Sequence, residues 1–229
     1  AKKPPFKGKF EWAIDYYKSM AKKLNITMKL GKEVTAQEVL ALKPYSILVA
    51  TGSNVISIPL EGLDQVQTVQ AHDVLANDMQ FANKKVVVIG GGITGLETAL
   101  YINRQGTNQV SVVDMLPEWP VDMLDMRYQN EALLEVRHCN DQGVALFYNN
   151  KVVKFADGKL FIESTKDGEV KELPADVIVL SVGVKPNDAL WQELLASGHP
   201  SVWKAGDAIA TGKINKAVLH GSKFGYSLN

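Results

Sequence analysis

The chain is predicted to be α/β, with one complete strand–turn–helix unit set inside a second α/β domain that is split and truncated. Three observations predict it. Residues 84–97 run from the apolar strand Val86-Val87-Val88-Ile89 through Gly90-Gly91-Gly92-Ile93-Thr94-Gly95 into a helix. Two further apolar runs, Ser46 to Gly52 and Val177 to Gly183, each close on a glycine. Around them helical and strand periodicities alternate, as parallel-sheet proteins require.

The elements follow in order. Residues 8–24 place Phe10, Ile14, Tyr17, Ala21 and Leu24 at helical spacing and predict an amphipathic helix. Ile26 to Leu30 predicts a short strand, and residues 35–42 a short helix stopped near Pro44. Ser46 to Gly52 predicts a buried strand closing on a turn, the tail of an α/β unit without a glycine-rich opening of its own. Residues 53–84 read as a connecting stretch with one short helix at 71–77. The glycine-turn helix is expected to end near Gln105-Gly106, before the strand Val110 to Val113. A helix follows from Asp125 to Cys139, then a strand from Val144 to Tyr148. Lys151 to Ala156 and Leu160 to Thr165 meet at Asp157-Gly158, a hairpin signal. Val177 to Gly183 is a buried strand. A helix at 187–196, a strand at 201–205 and a helix from 214 complete the chain. The expected division is 1–57 and 183–229 as two outer pieces, with 58–182 as the inserted unit.

Composition narrows the function. The chain has 229 residues, 46% of them hydrophobic, and 25 basic against 25 acidic side chains. Zero formal net charge gives no reason to expect a nucleic-acid or anionic-membrane partner. No apolar run approaches the roughly 20 residues that span a bilayer. The start shows neither a secretory signal nor a twin-arginine pattern. The single cysteine, Cys139, excludes an intrachain disulfide and fits a reducing cytoplasm. Beginning at Ala1 with half an α/β unit, the chain reads as excised from a longer polypeptide.

Gly90, Gly92 and Gly95 fill the three slots of the dinucleotide fingerprint, after a strand and before a helix, and make the inserted unit Rossmann-like. The first glycine permits the tight turn, the second lets a pyrophosphate approach, and the third lets helix and strand pack. The helix start, with Ile93 and Thr94, offers N–H groups and a positive dipole end to that pyrophosphate. Asp114 ends the next strand, about twenty residues past Gly95, where an acid accepts bonds from an adenosine ribose and repels a 2′-phosphate. Met115, Leu116, Pro117 and Glu118 add no cation, so NADH is expected over NADPH. The bland alternative is that Asp114 caps a strand. Trp119 walls a nucleotide cleft or packs a loop.

Val49-Ala50-Thr51-Gly52, the glycine fingerprint with Glu97, and Ala205-Gly206-Asp207-Ala208 occur in this order. Together they resemble the two-dinucleotide-domain flavoproteins, in which an NAD(P)H domain is inserted into an FAD domain. Pro4-Pro5 leading to Phe10-Glu11, Ala50-Thr51-Gly52-Ser53, and Gly206-Asp207 leading to Lys213-Ile214-Asn215-Lys216-Ala217 resemble a subgroup. That subgroup is the NADH:flavin oxidoreductases related to 2,4-dienoyl-CoA reductase, 2-enoate reductase and trimethylamine dehydrogenase. The resemblance implies FAD near Thr51, Gly52, Gly183, Gly206, Asp207, Ile214 and Asn215. It also implies an amino-terminal barrel with FMN and an iron–sulfur cluster, and a first glycine fingerprint, none of which occurs in these residues. The activity it implies is NADH oxidation through FAD, feeding reduction of an activated C=C bond in the parent. A disulfide or peroxide reductase, and a module holding a structural ADP, are the rivals.

The resemblance puts Glu97 beside the nicotinamide or flavin edge; the alternative is a first-turn acid favoured by the helix dipole. Asp207 resembles the ribityl-binding aspartate, against a plain turn aspartate. Ala217, Gly221 and Gly225 give the last helix a smooth face for packing on a sheet or a flavin. His72, His138, His199 and His220 lack metal-ligand spacing and read as surface or packing residues. Cys139 reads as a buried thiol, and Lys2, Lys3, Lys7 and Lys9 as a solvated basic start.

Overall fold

The computed structural model describes residues 2–117 and 126–228, with side chains from 130 onward in the second span. The readings placed on Glu118, Trp119 and Asp125 lie outside the described residues. Helices α1 (Phe10–Lys23) and α2 (Ala36–Ala41) precede strands β1 (Ile47–Val49), β2 (Ser53–Val55) and β3 (Gln67–Gln70). Then come α3 (Ala71–Ala76), β4 (Lys85–Ile89), α4 (Ile93–Asn103), β5 (Gln109–Val113), α5 (Met126–Asp141) and β6 (Ala145–Phe147). Strands β7 (Asn150–Ala156), β8 (Lys159–Ser164), β9 (Val170–Pro174), β10 (Val177–Leu180) and β11 (Val184–Pro186) follow. Helix α6 (Ala189–Ala196), β12 (Val202–Lys204) and α7 (Ile214–Ser227) end the chain.

The fold is α/β, and contacts divide it into two compact units. One comprises Ala1–Asn25 and Ser57–Val182, the other Ile26–Ile56 and Gly183–Asn229. Residues 1–25, assigned from sequence to the first outer piece, pack here with the central unit.

The central unit is built on a five-stranded parallel sheet ordered β3-β10-β4-β5-β6. Its middle strands carry apolar, largely β-branched residues on both faces, so they need cover on both sides. Val86, Val88, Val110, Val112, Val177 and Val179 pack with Leu96, Leu100 and Ile102 of α4 and Val136 and Cys139 of α5. Val87, Ile89, Val113, Ile178 and Leu180 face the other way, onto Phe155, Leu160 and Ile162. Each such side chain contributes ~1.5–3 kcal/mol by leaving water. Phe155, Leu160 and Ile162 belong to the antiparallel sheet β7-β8-β9. Its first turn holds Asp157 at φ +50° and Gly158 at φ +72°, the left-handed pair a two-residue hairpin requires.

The second unit has less to bury. Parallel β1 and β12 form a two-stranded sheet, and β2 pairs antiparallel with β11. Ile47, Val49 and Leu194 make its core, with α2 and α6 packed on it. Helix α7 buries no residue, and Val218 and Leu219 stand 45% and 51% exposed. Helix α1 of the central unit is equally bare, with Trp12 71% exposed. Apolar faces of this extent are the kind that take part in interactions.

Four expectations are corrected. Ile26 to Leu30 forms no strand, because alternation alone makes no ladder without a neighbouring strand to accept it. The stretch 53–84 contains β2 and β3, whose polar sequences, such as Gln67-Thr68-Val69-Gln70, carry little strand signal. Strands β9 and β11 were likewise hidden by charged residues and a proline. The smooth face of α7 is left uncovered: Ala217, though near Gly206, is exposed, and among the described residues nothing comes within 4 Å of a Cβ built at Gly221 or Gly225.

Candidate functional site

The turn between β4 and α4 is assembled by three glycines with different duties. Gly90 has φ +107°, and a Cβ there would overlap the Ser181 carbonyl at the end of β10. A Cβ on Gly95 would overlap the Gly90 carbonyl oxygen, so this glycine lets the helix close onto the turn. Gly92, the α4 N-cap, has φ −67° and ψ 173°, angles open to any residue. The first intrahelical bond runs from Leu96 N–H to the Gly92 carbonyl at 3.0 Å, leaving the earlier amides without helical partners. Thr94 is exposed beside them, and Ile93 is buried.

Asp114 reaches this turn from the end of β5. Its Oδ2 accepts the Gly91 N–H at 2.5 Å and its Oδ1 the Leu116 N–H at 2.8 Å. Both oxygens thus sit in fixed directions, each with further lone-pair capacity for a diol. Tyr148 packs over the same place: a Cβ on Gly91 would lie 3.1 Å from its ring and from the Asp114 Cβ. The sequence reading did not single out Tyr148.

Glu97 is 8% exposed in the second turn of α4 and bonds to the Lys7 ammonium. Lys7 also bonds Glu131 of α5 at 2.8 Å. Burial works against the Lys7 charge, but the bonds from Glu131 and Glu97 outweigh it and raise its pKa. Glu135, 5% exposed one turn further along α5, is pushed up to about 7 by burial and then by the charge of Glu97. The strap carrying Lys7 is pinned twice more. Lys3 pairs with Asp78 at 2.8 Å, and the Phe6 ring lies 4.7 Å from the His138 ring and 4.4 Å from the Arg104 guanidinium. The basic start is therefore partly built into the fold, correcting the reading of it as solvated. Cys139 is buried, as expected, and burial raises its thiol to about 12.

The second unit gathers another set of candidates. Thr51 Oγ1 donates to the Asn187 carbonyl at 2.5 Å, and Asn187 N–H donates to the Gly52 carbonyl at 3.0 Å. Gly52 and Gly183 hold φ +74° and +98°, and the Gly183 carbonyl accepts the Ile56 N–H at 3.1 Å. Gly206 has φ +60° and opens a 3₁₀ turn, Gly206–Ala208. Asp207 Oδ1 accepts the Gly212 N–H at 3.0 Å, and Ser53 Oγ donates to its Oδ2 at 3.5 Å. Ile214, first residue of α7, is 53% exposed, and Asn215 Oδ1 accepts the Lys216 N–H at 3.0 Å. No three His, Cys, Asp or Glu side chains among the described residues could hold a metal. No helix among them is long and apolar enough to cross a membrane.

The profile of the pyridine nucleotide-disulphide oxidoreductases matches residues 13–219. The chain belongs to this family. It is an α/β domain of the kind these flavin-dependent NAD(P)H oxidoreductases share, and relatives of the subgroup the motifs resemble are among its matches. A bilirubin reductase of Mediterraneibacter gnavus is 33% identical over 80% of the chain and 28% of its own length. An NADH oxidase of Thermoanaerobacter brockii is 29% identical over 98% of the chain and 34% of its own length. A 2-naphthoyl-CoA reductase structure superposes with a TM-score of 0.83 at 26% identity, over 98% of this chain and 33% of that one. The fold is shared with a histamine dehydrogenase from Rhizobium sp. 4-9, at a TM-score of 0.81 and 18% identity over 97% of this chain and 37% of that one. The chain thus spans about a third of the length of these relatives.

These residues fit both cofactors unequally. The glycine turn, helix start and fixed acid are a donor and acceptor set that suits a nicotinamide dinucleotide. Of what FAD would need, the turns at Thr51-Gly52 and Gly206-Asp207 are in place, but residues 1–57 hold only Gly8, Gly31 and Gly52 and no fingerprint of their own.

Proposed function

We propose that the chain is the NADH-binding and electron-input part of a longer flavin oxidoreductase. Residues 58–182, with residues 1–25 packed against them, form its NAD(P)H domain, and 26–57 with 183–229 are two pieces of its FAD domain. When bound, the nicotinamide supplies a hydride and the flavin accepts it. Gly92 leaves room for the pyrophosphate, and the amides of Ile93, Thr94 and Gly95 at the start of α4 receive its charge. Asp114, held by Gly91 and Leu116, accepts the ribose hydroxyls and repels a 2′-phosphate, favouring NADH over NADPH. Glu97 orients the nicotinamide end through its pair with Lys7. Thr51, Gly52, Gly183, Gly206, Asp207, Ile214 and Asn215 line the flavin nucleotide. In the whole protein, an amino-terminal barrel with FMN and an iron–sulfur cluster carries the electrons to an activated C=C bond, such as an enoate or dienoyl thioester.

The observation that carries this reading is the start of α4, where the N-cap Gly92 holds backbone angles open to any residue and Asp114 is fixed beside the turn by the Gly91 N–H. Titration with NADH and NADPH, followed by nicotinamide fluorescence, tests it. NADH is expected to saturate the chain and NADPH to bind at least about tenfold more weakly. Gly92→Val is expected to lose at least about tenfold in NADH affinity while its circular dichroism stays that of the parent. Asp114→Asn, which keeps the shape and removes the charge, is expected to weaken NADH about tenfold and narrow the preference over NADPH. Unchanged affinity in Gly92→Val would sink the dinucleotide reading.

A further inference from the structure

We propose that His220 is a positioning residue for the Gly206–Asp207 turn, fixing the segment that this reading assigns to the flavin nucleotide. The proposal rests on the FAD assignment for its ligand, but its geometry stands independently. The turn opens with Gly206 in the left-handed region at φ +60°. A backbone N–H in such a turn cannot join a helix or a ladder and still needs an acceptor. It finds one on α7: Gly206 N–H donates to His220 Nδ1 at 3.1 Å. Because the donor is a backbone amide, Nδ1 must present its lone pair, which places the ring proton on Nε2.

Ala217 lies one turn before His220 on α7, so the two share a face. A Cβ built on Gly206 would stand 3.4 Å from the Ala217 Cβ, so the turn runs beside this face of the helix, and His220 sets its rotation. Asp207 is braced separately, by the Gly212 N–H at 3.0 Å and by Ser53 Oγ at 3.5 Å. The peptide between Gly206 and Asp207 is held by the Gly206 carbonyl, which accepts the Ile209 N–H at 3.0 Å. The His220 bond holds the peptide before it, between Ala205 and Gly206, where the chain enters the turn. Losing it frees that entry and lets the turn that carries Asp207 shift beneath a bound phosphate or ribityl hydroxyl.

His220→Ala and His220→Asn separate this role from simple packing. Asn Oδ1 stands where His Nδ1 stands, so it restores the acceptor without the ring. FAD affinity, read by flavin fluorescence quenching, is expected to fall about five- to tenfold in His220→Ala, the weight of one hydrogen bond. It is expected to return to within about twofold in His220→Asn. The amide resonance of Gly206 should move in the alanine variant and hold its hydrogen-bonded shift in the asparagine variant. Wild-type affinity in His220→Ala, or equal losses in both variants, overturns the positioning role. If the wild-type chain does not quench FAD, the flavin assignment fails for this chain, and the Gly206 amide alone decides. A Gly206 resonance unmoved in His220→Ala overturns the proposal.

Discussion

Gly95→Ala is expected to unfold the central unit or destabilise it by more than about 3 kcal/mol. The new Cβ would overlap the carbonyl oxygen of Gly90, which belongs to the same turn. Side chains yield to overpacking at about 1–3 kcal/mol, but a carbonyl held by a turn cannot swing away without opening it. The turn is itself fixed, since Gly90 N–H donates to the Val113 carbonyl at 2.8 Å. Helix α4 would have to lift from β4, exposing Leu96, Leu100 and Ile102, all fully buried. Urea unfolding followed by circular dichroism measures this. A midpoint shift worth less than about 1 kcal/mol would show that the helix tolerates the displacement and that the close approach is not required. The contrast with Gly92→Val matters most. Two glycines of one motif are expected to fail in different assays, Gly95 in folding because its Cβ would overlap backbone, and Gly92 in binding because its backbone angles are open to any residue.

That division could be read from the sequence because the motif is local. A strand, a turn and a helix start within fourteen residues carry both the signal and the structure, and Asp114 lies at the end of the neighbouring strand. The apolar runs of β4, β5 and β10 were legible for a related reason, since strands buried on both faces have no room for polar residues. What stayed hidden depends on distant partners. Lys7 meets Glu97 across ninety residues of chain, and no spacing rule connects a lysine in a proline-bearing strap to an acid on a later helix. The polar edge strand β3 takes its form from β10 rather than from its own side chains. Ile26 to Leu30 shows the converse, an apolar pattern with no strand beside it. His220 was hidden because a ring accepting one backbone amide leaves no periodic trace.

Glu135→Gln is expected to stabilise the chain at pH 8 and to leave it unchanged near pH 4.5. Burial, then the charge of Glu97 and that of Glu131, pushes Glu135 up to about 7 from an ordinary 4.5, against the pull of Lys7 and Arg104. The folded protein therefore holds this proton to higher pH than the unfolded chain does. Below the unfolded value both states are protonated and nothing is lost. Stability then falls as pH rises from 4.5 to about 7, by about 3 kcal/mol at the end of the window. Glutamine has the shape of the protonated acid at every pH, so the variant should lack this slope. Its melting temperature should exceed the parent's at pH 8 by several degrees, at about 2–4 °C per kcal/mol, and match it at pH 4.5. Lys7→Met should act oppositely at pH 8, costing about 2–4 kcal/mol, because it withdraws the cation from the buried Glu97 while the carboxylates stay charged. Parallel pH profiles for Glu135→Gln and the parent would mean that Glu135 is ionised throughout, and that the strap carrying Lys7 already balances the cluster's charge.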